Sequence, residues 1–212
     1  MTRYIAIVLL FFLPLAVFAQ WDSYEYNPQV QPRMMLGGDI AMFRISLSDF
    51  EDVYTNRWGE SLGAFVGVRA FGAHYITFKY GMFQKDGRTG LHPVTGQNLQ
   101  DARWNEQWYK LGLRIHPPVE QKWGSYYGFG IAAYDVEETE GLSVFDQRQN
   151  NEQSELGTGF YLEVGVDYFV FEKMALFFDI EIASGGVRGK SGFEAMSVGG
   201  WRFAGGVSFW PF

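Results

Sequence analysis

The 212-residue sequence contains no cysteine, so no disulfide framework can brace the fold. Long apolar runs are also missing: beyond residue 20 no stretch has 18 uninterrupted apolar residues, and even the richest, residues 168–183, is broken by charged side chains. Because a bilayer-spanning helix needs about 20 apolar residues, this absence argues against a helical membrane protein. Basic residues are scarce, with 17 Lys and Arg against 24 Asp and Glu and a net charge of −7, which argues against nucleic acid as a partner.

Aromatic residues and glycine are abundant instead: aromatic residues make up 18% of the sequence, and 26 residues are glycine. Glycine weakens helices, whereas aromatic side chains favour pleated strands and membrane interfaces. The composition therefore favours strands over helices.

The first residues have the pattern of an export signal. Thr2 and Arg3 form a short basic start, residues 4–17 are almost entirely apolar, and the run stops at Val17-Phe18-Ala19. This pattern predicts a cleavable signal peptide over residues 1–19. A retained anchor is the alternative, although the run is shorter than the ~20 residues that span a bilayer. We expect residues 20–212 to form one barrel domain, with residues 20–33 as a periplasmic lead.

Apolar residues alternate with polar or small ones along eight stretches, which predicts eight β-strands. The seventh stretch shows the alternation most clearly, with Met174, Leu176 and Phe178 on one face and Phe177 and Asp179 on the other. Each stretch is at least as long as the about 9–11 residues that a tilted strand needs to cross a membrane. The predicted strands cover residues 35–45, 61–71, 74–84, 105–116, 124–135, 157–170, 174–184 and 198–210.

The connections between these stretches are alternately short and long. Gly72-Ala73 and Phe171-Glu172-Lys173 are short, as is the segment that begins with Pro117-Pro118, while the other four connections are long. Short periplasmic turns on one rim and long extracellular loops on the other are typical of membrane barrels. The sequence therefore predicts an all-β fold, an eight-stranded antiparallel up-and-down transmembrane β-barrel.

Alternation alone does not separate a membrane barrel, apolar outside, from a soluble lipocalin-like barrel, apolar inside. The polar face decides between them, because it is rich in glycine and aromatic residues and carries few charges. Such a face suits a narrow lumen better than a surface in contact with water.

The charges on this face are balanced, and we expect them to form an ionic network that fills the lumen. Buried charges persist only when they are paired, and an eight-stranded barrel is just wide enough for its own side chains to fill. Arg202 of the eighth strand should pair with the acidic seventh strand. A gated ion or solute path is the alternative. The predicted network consists of Arg69, Lys79, Lys110, Arg114, Arg202, Glu163, Asp167, Asp179 and Glu181.

Several motifs resemble the outer-membrane β-barrel superfamily of small Gram-negative proteins, the OmpA/OmpX type. They are the segments 36–39 (Leu-Gly-Gly-Asp), 58–59 (Trp-Gly), 64–69 (Ala-Phe-Val-Gly-Val-Arg) and the aromatic-ended segment 200–212. The resemblance implies a barrel in the bacterial outer membrane. It also implies that the barrel assembly machinery recognises the terminal segment, in which Trp210 and Phe212 match the third-from-last and last positions.

Candidate sites are few. Some eight-stranded barrels modify lipid A with His, Ser and an acidic residue, but His74 and His116 adjoin predicted periplasmic turns, and His92 has no serine at nucleophile–base spacing. The acidic third loop, residues 135–155, suits a divalent cation or another extracellular ligand, although such a run is usually a solvated surface. We expect no catalytic residue, cofactor or resident metal.

Aromatic residues near predicted strand ends are attributed to interfacial belts. Tyr54 and Trp58, in the first loop, are candidates for stacking on sugars. The residues assigned to the belts are Trp108, Trp123, Tyr126, Trp201 and Trp210.

The sequence therefore predicts a structural or surface-interaction barrel with a side-chain-filled lumen. Its expected partners are outer-membrane lipids, lipopolysaccharide and, during biogenesis, the barrel assembly machinery. A narrow channel or carrier for small solutes, a lipid-modifying enzyme and a secreted soluble barrel remain the alternatives.

Overall fold

The computed structural model describes residues 32–47, 50–87, 102–117, 122–139, 152–187 and 196–211. Within them, eight antiparallel strands close into a barrel in chain order, which confirms the predicted fold. The predicted signal peptide and most of the periplasmic lead lie outside the described residues. The strands are β1 (Met34–Ile45), β2 (Trp58–Phe71), β3 (His74–Asp86), β4 (Arg103–Ile115), β5 (Trp123–Thr139), β6 (Glu152–Phe171), β7 (Met174–Val187) and β8 (Met196–Phe209).

Strands β5 and β6 extend further than the alternation predicts. They continue to pair with each other as far as Thr139 and Glu152. The last residues of β5 and the first residues of β6 are mostly polar, so the apolar alternation that marks a membrane-spanning strand is absent there.

A helix of four residues, α1 (Phe50–Val53), lies in the first long loop. Just after it, Tyr54 forms an isolated antiparallel bridge with Gly87, at the end of β3. Among the residues that the structure covers, no helix has the length and apolar character needed to cross a bilayer.

The pairing register determines the shape of the barrel. Following paired residues once around the barrel from Met35 leads to Ile45, a displacement of ten residues along β1. For ~3.3 Å per residue and ~4.7 Å between strands, this stagger tilts the strands by about 41° from the barrel axis. The path runs through Gly67, Thr77, Gly112, Gly130, Tyr161, Ala183 and Gly200.

The apolar face of each strand points outward. Leu62 and Ile131, for example, are 54% and 66% exposed, while the charged residues between the apolar positions are buried inside. This arrangement is the reverse of a soluble lipocalin-like barrel, so the barrel is of the membrane type.

The two rims differ as predicted. The turn rim carries the short connections β2–β3, β4–β5 and β6–β7, and Gly72 occupies the left-handed region (φ 49°) that the tight β2–β3 turn requires. The opposite loop rim carries the four long connections and α1.

Candidate functional site: the lumen and its two ends

A row of alternating charges crosses the middle of the lumen. The Nζ of Lys79 donates hydrogen bonds to Glu163 and to Glu181, both at 2.7 Å. The second oxygen of Glu181 accepts a hydrogen bond from Lys110. Arg114 donates hydrogen bonds to both oxygens of Glu163, from its Nε to Oε1 at 3.0 Å and from its Nη2 to Oε2 at 2.9 Å. We call these five buried residues the ionic ladder.

The strand order explains why the ladder crosses the barrel. Lys79, Lys110 and Arg114 lie on β3 and β4, whereas Glu163 and Glu181 lie on β6 and β7, across the lumen. Each residue occupies an inward position of its strand, and the charged groups therefore meet near the barrel axis. All five side chains are at most 5% exposed.

Arg202 pairs with a residue that the sequence prediction did not include. It lies opposite Glu181 in the β7–β8 register, but its guanidinium binds Asp39 of β1, its other neighbour. The expected pairing with β7 is therefore wrong. The physical reason is that Lys79 and Lys110 already occupy both oxygens of Glu181.

The remaining residues of the predicted network lie closer to the turn rim. Asp167 binds the Nε2 of His116 at 2.7 Å, and Asp179 accepts a hydrogen bond from the hydroxyl of Tyr126 at 3.1 Å. Arg69 lies half-buried near the β2–β3 turn, away from the ladder. The structure thus brings eight of the nine predicted residues into the buried interior.

Sequence reasoning missed Asp39 and Glu106 as interior charges, and both could have been found. Asp39 shares the inward alternation of Met35 and Phe43, and Glu106 is two positions from the inward Trp108. Glu106 is completely buried, and one of its oxygens accepts a hydrogen bond from the backbone N–H of Gly199 at 3.3 Å.

Aromatic residues close the loop end of the lumen. The rings of Phe50, in α1, and Tyr54 are stacked with centroids 4.2 Å apart, and Phe50 meets the edge of Trp104 at 5.5 Å. We call Phe43, Phe50, Tyr54, Phe83, Trp104 and Trp108 the loop-side aromatic cluster. Because Tyr54 is only 1% exposed, the expectation that it stacks on sugars is wrong.

A second cluster closes the turn end. Trp210 lies at its centre, 4% exposed, with its Nε1 donating to the hydroxyl of Ser208 at 2.9 Å. Tyr75 and His116 meet the Trp210 ring at centroid distances of 6.0 and 4.9 Å. The cluster comprises Met35, Phe65, Tyr75, Phe169, Ala175, Phe177 and Trp210.

No known family model matches the sequence, and no curated protein matches it significantly. Solved structures do match. Neisserial surface protein A is 14% identical with a TM-score of 0.57, over 84% of this chain and 96% of that one. The outer membrane protein OprG from Pseudomonas aeruginosa is 14% identical with a TM-score of 0.53, over 83% of this chain and 94% of that one. The fold is that of the small outer-membrane β-barrels.

An outer-membrane barrel meets lipid on its outer face, and the apolar residues of this chain are exposed there. The barrel fold and its apolar outer surface together place the chain in the bacterial outer membrane. In membrane barrels the short turns lie on the periplasmic side, so we expect the loop rim to face outward from the cell.

The aromatic belts of this outer-membrane barrel differ from the sequence prediction. Trp123 and Trp201 are exposed on the outer face, but Trp108, Tyr126 and Trp210 are buried inside. Proximity to a strand end predicted a belt position for all five, whereas the alternation places Trp108 and Tyr126 on inward positions. Trp210 follows β8 and turns into the lumen. Its suggested role in assembly stays a prediction, and Phe212 lies outside the described residues.

The two histidines that the structure describes, His74 and His116, both lie near the turn rim. His74 stacks on Phe71 beside the β2–β3 turn at 4.4 Å, and His116 is buried near the turn rim with Asp167. His92 and most of the acidic third loop lie outside the described residues. Within the described ranges, no group of three or more His, Asp or Glu residues is arranged to hold a metal ion.

Proposed function

We propose that this outer-membrane barrel is a non-conducting, non-enzymatic protein with a structural or surface-interaction role. Its lumen is filled by its own side chains, and its interactions take place at the acidic extracellular loops. The observation that carries the proposal is the ionic ladder, which joins strands on opposite sides of the lumen through hydrogen bonds of 2.7–3.0 Å.

The ladder opposes conduction on energetic grounds. An ion or solute that crosses the lumen must displace buried pairs, and breaking one such pair costs about 3–5 kcal/mol. The two aromatic clusters add apolar closures above and below the charges. The ionic ladder and the two aromatic clusters thus form three successive barriers, and the narrow lumen of an eight-stranded barrel has no room for a wide aqueous path beside them.

The interaction surface is the loop rim. There the β5–β6 hairpin continues beyond the apolar band, and Glu137 is exposed on its outward side, bound to the side-chain amide of Asn105 at 3.0 Å. The acidic third loop follows directly. A partner with basic groups, or a divalent cation, suits this carboxylate-rich surface.

Recording conductance in planar bilayers tests the proposal. We expect the native barrel to produce no steady current steps after its insertion has been verified by heat-modifiable gel mobility. A variant with both Glu163 and Arg114 replaced by alanine is the matched comparison, because it removes the bidentate pair at the centre of the ladder. Well-resolved open steps from the native protein would contradict the proposal.

A carrier for small apolar solutes is the second candidate, and one observation favours it. A groove of about 530 Å³ lies on the outer wall of the barrel, lined by Tyr109, Leu111, Ile131, Ala133 and Thr158 among others. Binding of an apolar fluorescent solute by the native protein, and its loss in Ala133→Trp, would support this candidate.

A further inference from the structure

We infer that Arg44 binds a phosphate group of an outer-leaflet glycolipid, the lipid A portion of lipopolysaccharide. The inference rests on the outer-membrane placement of the barrel but not on whether its lumen conducts. It concerns the outer surface of β1, β2 and β8 at the loop rim, on the opposite side of the barrel wall from the ionic ladder.

Arg44 lies at the boundary between the apolar band and the headgroup region. It occupies the next outward position of β1 after Met42, with the inward Phe43 between them. On β1 to β4, moving from the membrane toward the loop rim, the first outward residues of polar character are Arg44, Glu60, Gln84 and Gln107. Arg44 is the one cation in this row.

Two tryptophans flank Arg44 directly. It is paired in register with Trp58 of β2 on one side and with Trp201 of β8 on the other. Both indoles are on the outer face, 39% and 43% exposed. Tryptophan concentrates at the headgroup level of a membrane, and directly opposed residues on one face have Cβ atoms about 4.5–5.5 Å apart. The guanidinium therefore emerges between two interfacial anchors.

The side chain of Arg44 makes no hydrogen bond or ion pair with the part of the chain that the structure describes. The contrast is Arg103, also a cation of the outer face near the loop rim, which binds Asp86 at 3.1 Å. An arginine held half-buried among aromatic residues at a lipid interface gains most from an anion with several oxygens, because its planar donors match phosphate.

The residues nearest the membrane favour a lipid over a free anion. Met42, 48% exposed, and Ile40, 42% exposed, continue below Arg44 on the same face. The ring of Trp58 lies 6.0 Å from the ring of Phe203, centroid to centroid, and the two rings add to the apolar surface of this face. An acyl chain attached to the bound headgroup can lie along this surface.

Glu60 favours a headgroup that carries hydrogen-bond donors beside its phosphate. It is exposed on the same face, paired with Met42 one step nearer the membrane. A carboxylate repels a phosphate but accepts hydrogen bonds from hydroxyl and amide N–H groups. A phosphorylated sugar with acylated amines offers both the anion for Arg44 and the donors for Glu60.

Native mass spectrometry of the full-length barrel from detergent micelles tests the inference. The probes are bisphosphorylated lipid A, its dephosphorylated form, phosphatidylglycerol and inorganic phosphate. We expect the native protein to retain bisphosphorylated lipid A about tenfold more tightly than the dephosphorylated form. R44Q should lose this difference, R44K should keep part of it, and R103Q, the matched control, should behave as the native protein does.

Several outcomes would overturn the inference. They are unchanged retention by R44Q, an equal loss in R103Q, equally tight retention of phosphatidylglycerol, or displacement of lipid A by millimolar inorganic phosphate. Heat-modifiable mobility of each variant verifies that it is folded, which we expect because Arg44 points away from the interior. Current steps from the native barrel would contradict the proposed function while leaving this site untouched.

Discussion

Replacing Glu181 by glutamine tests how much the ionic ladder stabilises the barrel. Glutamine preserves the shape of the side chain but removes the charge that Lys79 and Lys110 share. Lys79 keeps its hydrogen bond to Glu163 at 2.7 Å, whereas Lys110 loses the carboxylate that it binds. Removing one partner of a buried pair costs about 3–5 kcal/mol. Since one of the two lysines remains paired, we expect a loss of about 3 kcal/mol in the free energy of unfolding.

A double-mutant cycle separates the ion pair from other effects of the substitution. Lys110→Met alone leaves one oxygen of Glu181 without its lysine. The double variant, Glu181→Gln with Lys110→Met, removes both charges of the pair together. We therefore expect the double variant to be about 1–3 kcal/mol more stable than the sum of the single losses predicts. Glu137→Gln, an exposed carboxylate of β5, should change stability by less than about 0.5 kcal/mol.

The assay is urea unfolding in lipid vesicles, followed by tryptophan fluorescence in both the unfolding and the refolding direction. Coincident curves permit a free energy to be extracted by linear extrapolation. Two results would refute the reasoning: a Glu181→Gln variant as stable as the native protein, or strictly additive losses in the cycle. Either would mean that the charges do not interact across the lumen in the membrane.

Two further predictions concern the packing of the wall and of the loop end. Gly130→Ala should cost about 1–3 kcal/mol in the urea assay, because its Cβ would lie 2.3 Å from the carbonyl oxygen of Leu111. Gly205→Ala, where the nearest atom is 3.9 Å away, is the matched control and should be neutral; equal losses would contradict the packing argument. Phe50→Ala should open the loop-side aromatic cluster, destabilise the barrel by about 3 kcal/mol and increase acrylamide quenching of tryptophan fluorescence. Phe71→Ala, at an outer position that is 64% exposed, should leave quenching unchanged, and no increase with Phe50→Ala would mean that α1 does not cover the lumen.

Much of the fold could be predicted because a membrane barrel repeats one local rule. Each strand alternates between lipid and lumen, so Met174, Leu176 and Phe178 are assigned to one face without knowledge of any neighbour. The short turns and long loops then determine which rim each strand end reaches. The rule weakens at the far ends of β5 and β6, since the sequence there is mostly polar and carries no apolar alternation.

The positions of the interior charges could be predicted, but most of their partners could not. Lys79 and Glu163 are 84 residues apart in sequence, and they meet because the stagger and the strand order place β3 opposite β6. Arg202 shows the limit most clearly: adjacency suggested β7, while competition from two lysines for Glu181 leaves Asp39 of β1 as its partner.

The sequence by itself determined the class of the protein. Eight alternating segments joined by alternately short and long connections predict a closed barrel, and a polar face rich in glycine and aromatic residues places the lipid outside. Tertiary structure alone decided which charges pair, that Trp210 turns inward, and that α1 folds over the loop end. Each of these depends on distances across the lumen or between distant strands. Such distances follow from strand tilt and barrel closure, which no local pattern of residues contains.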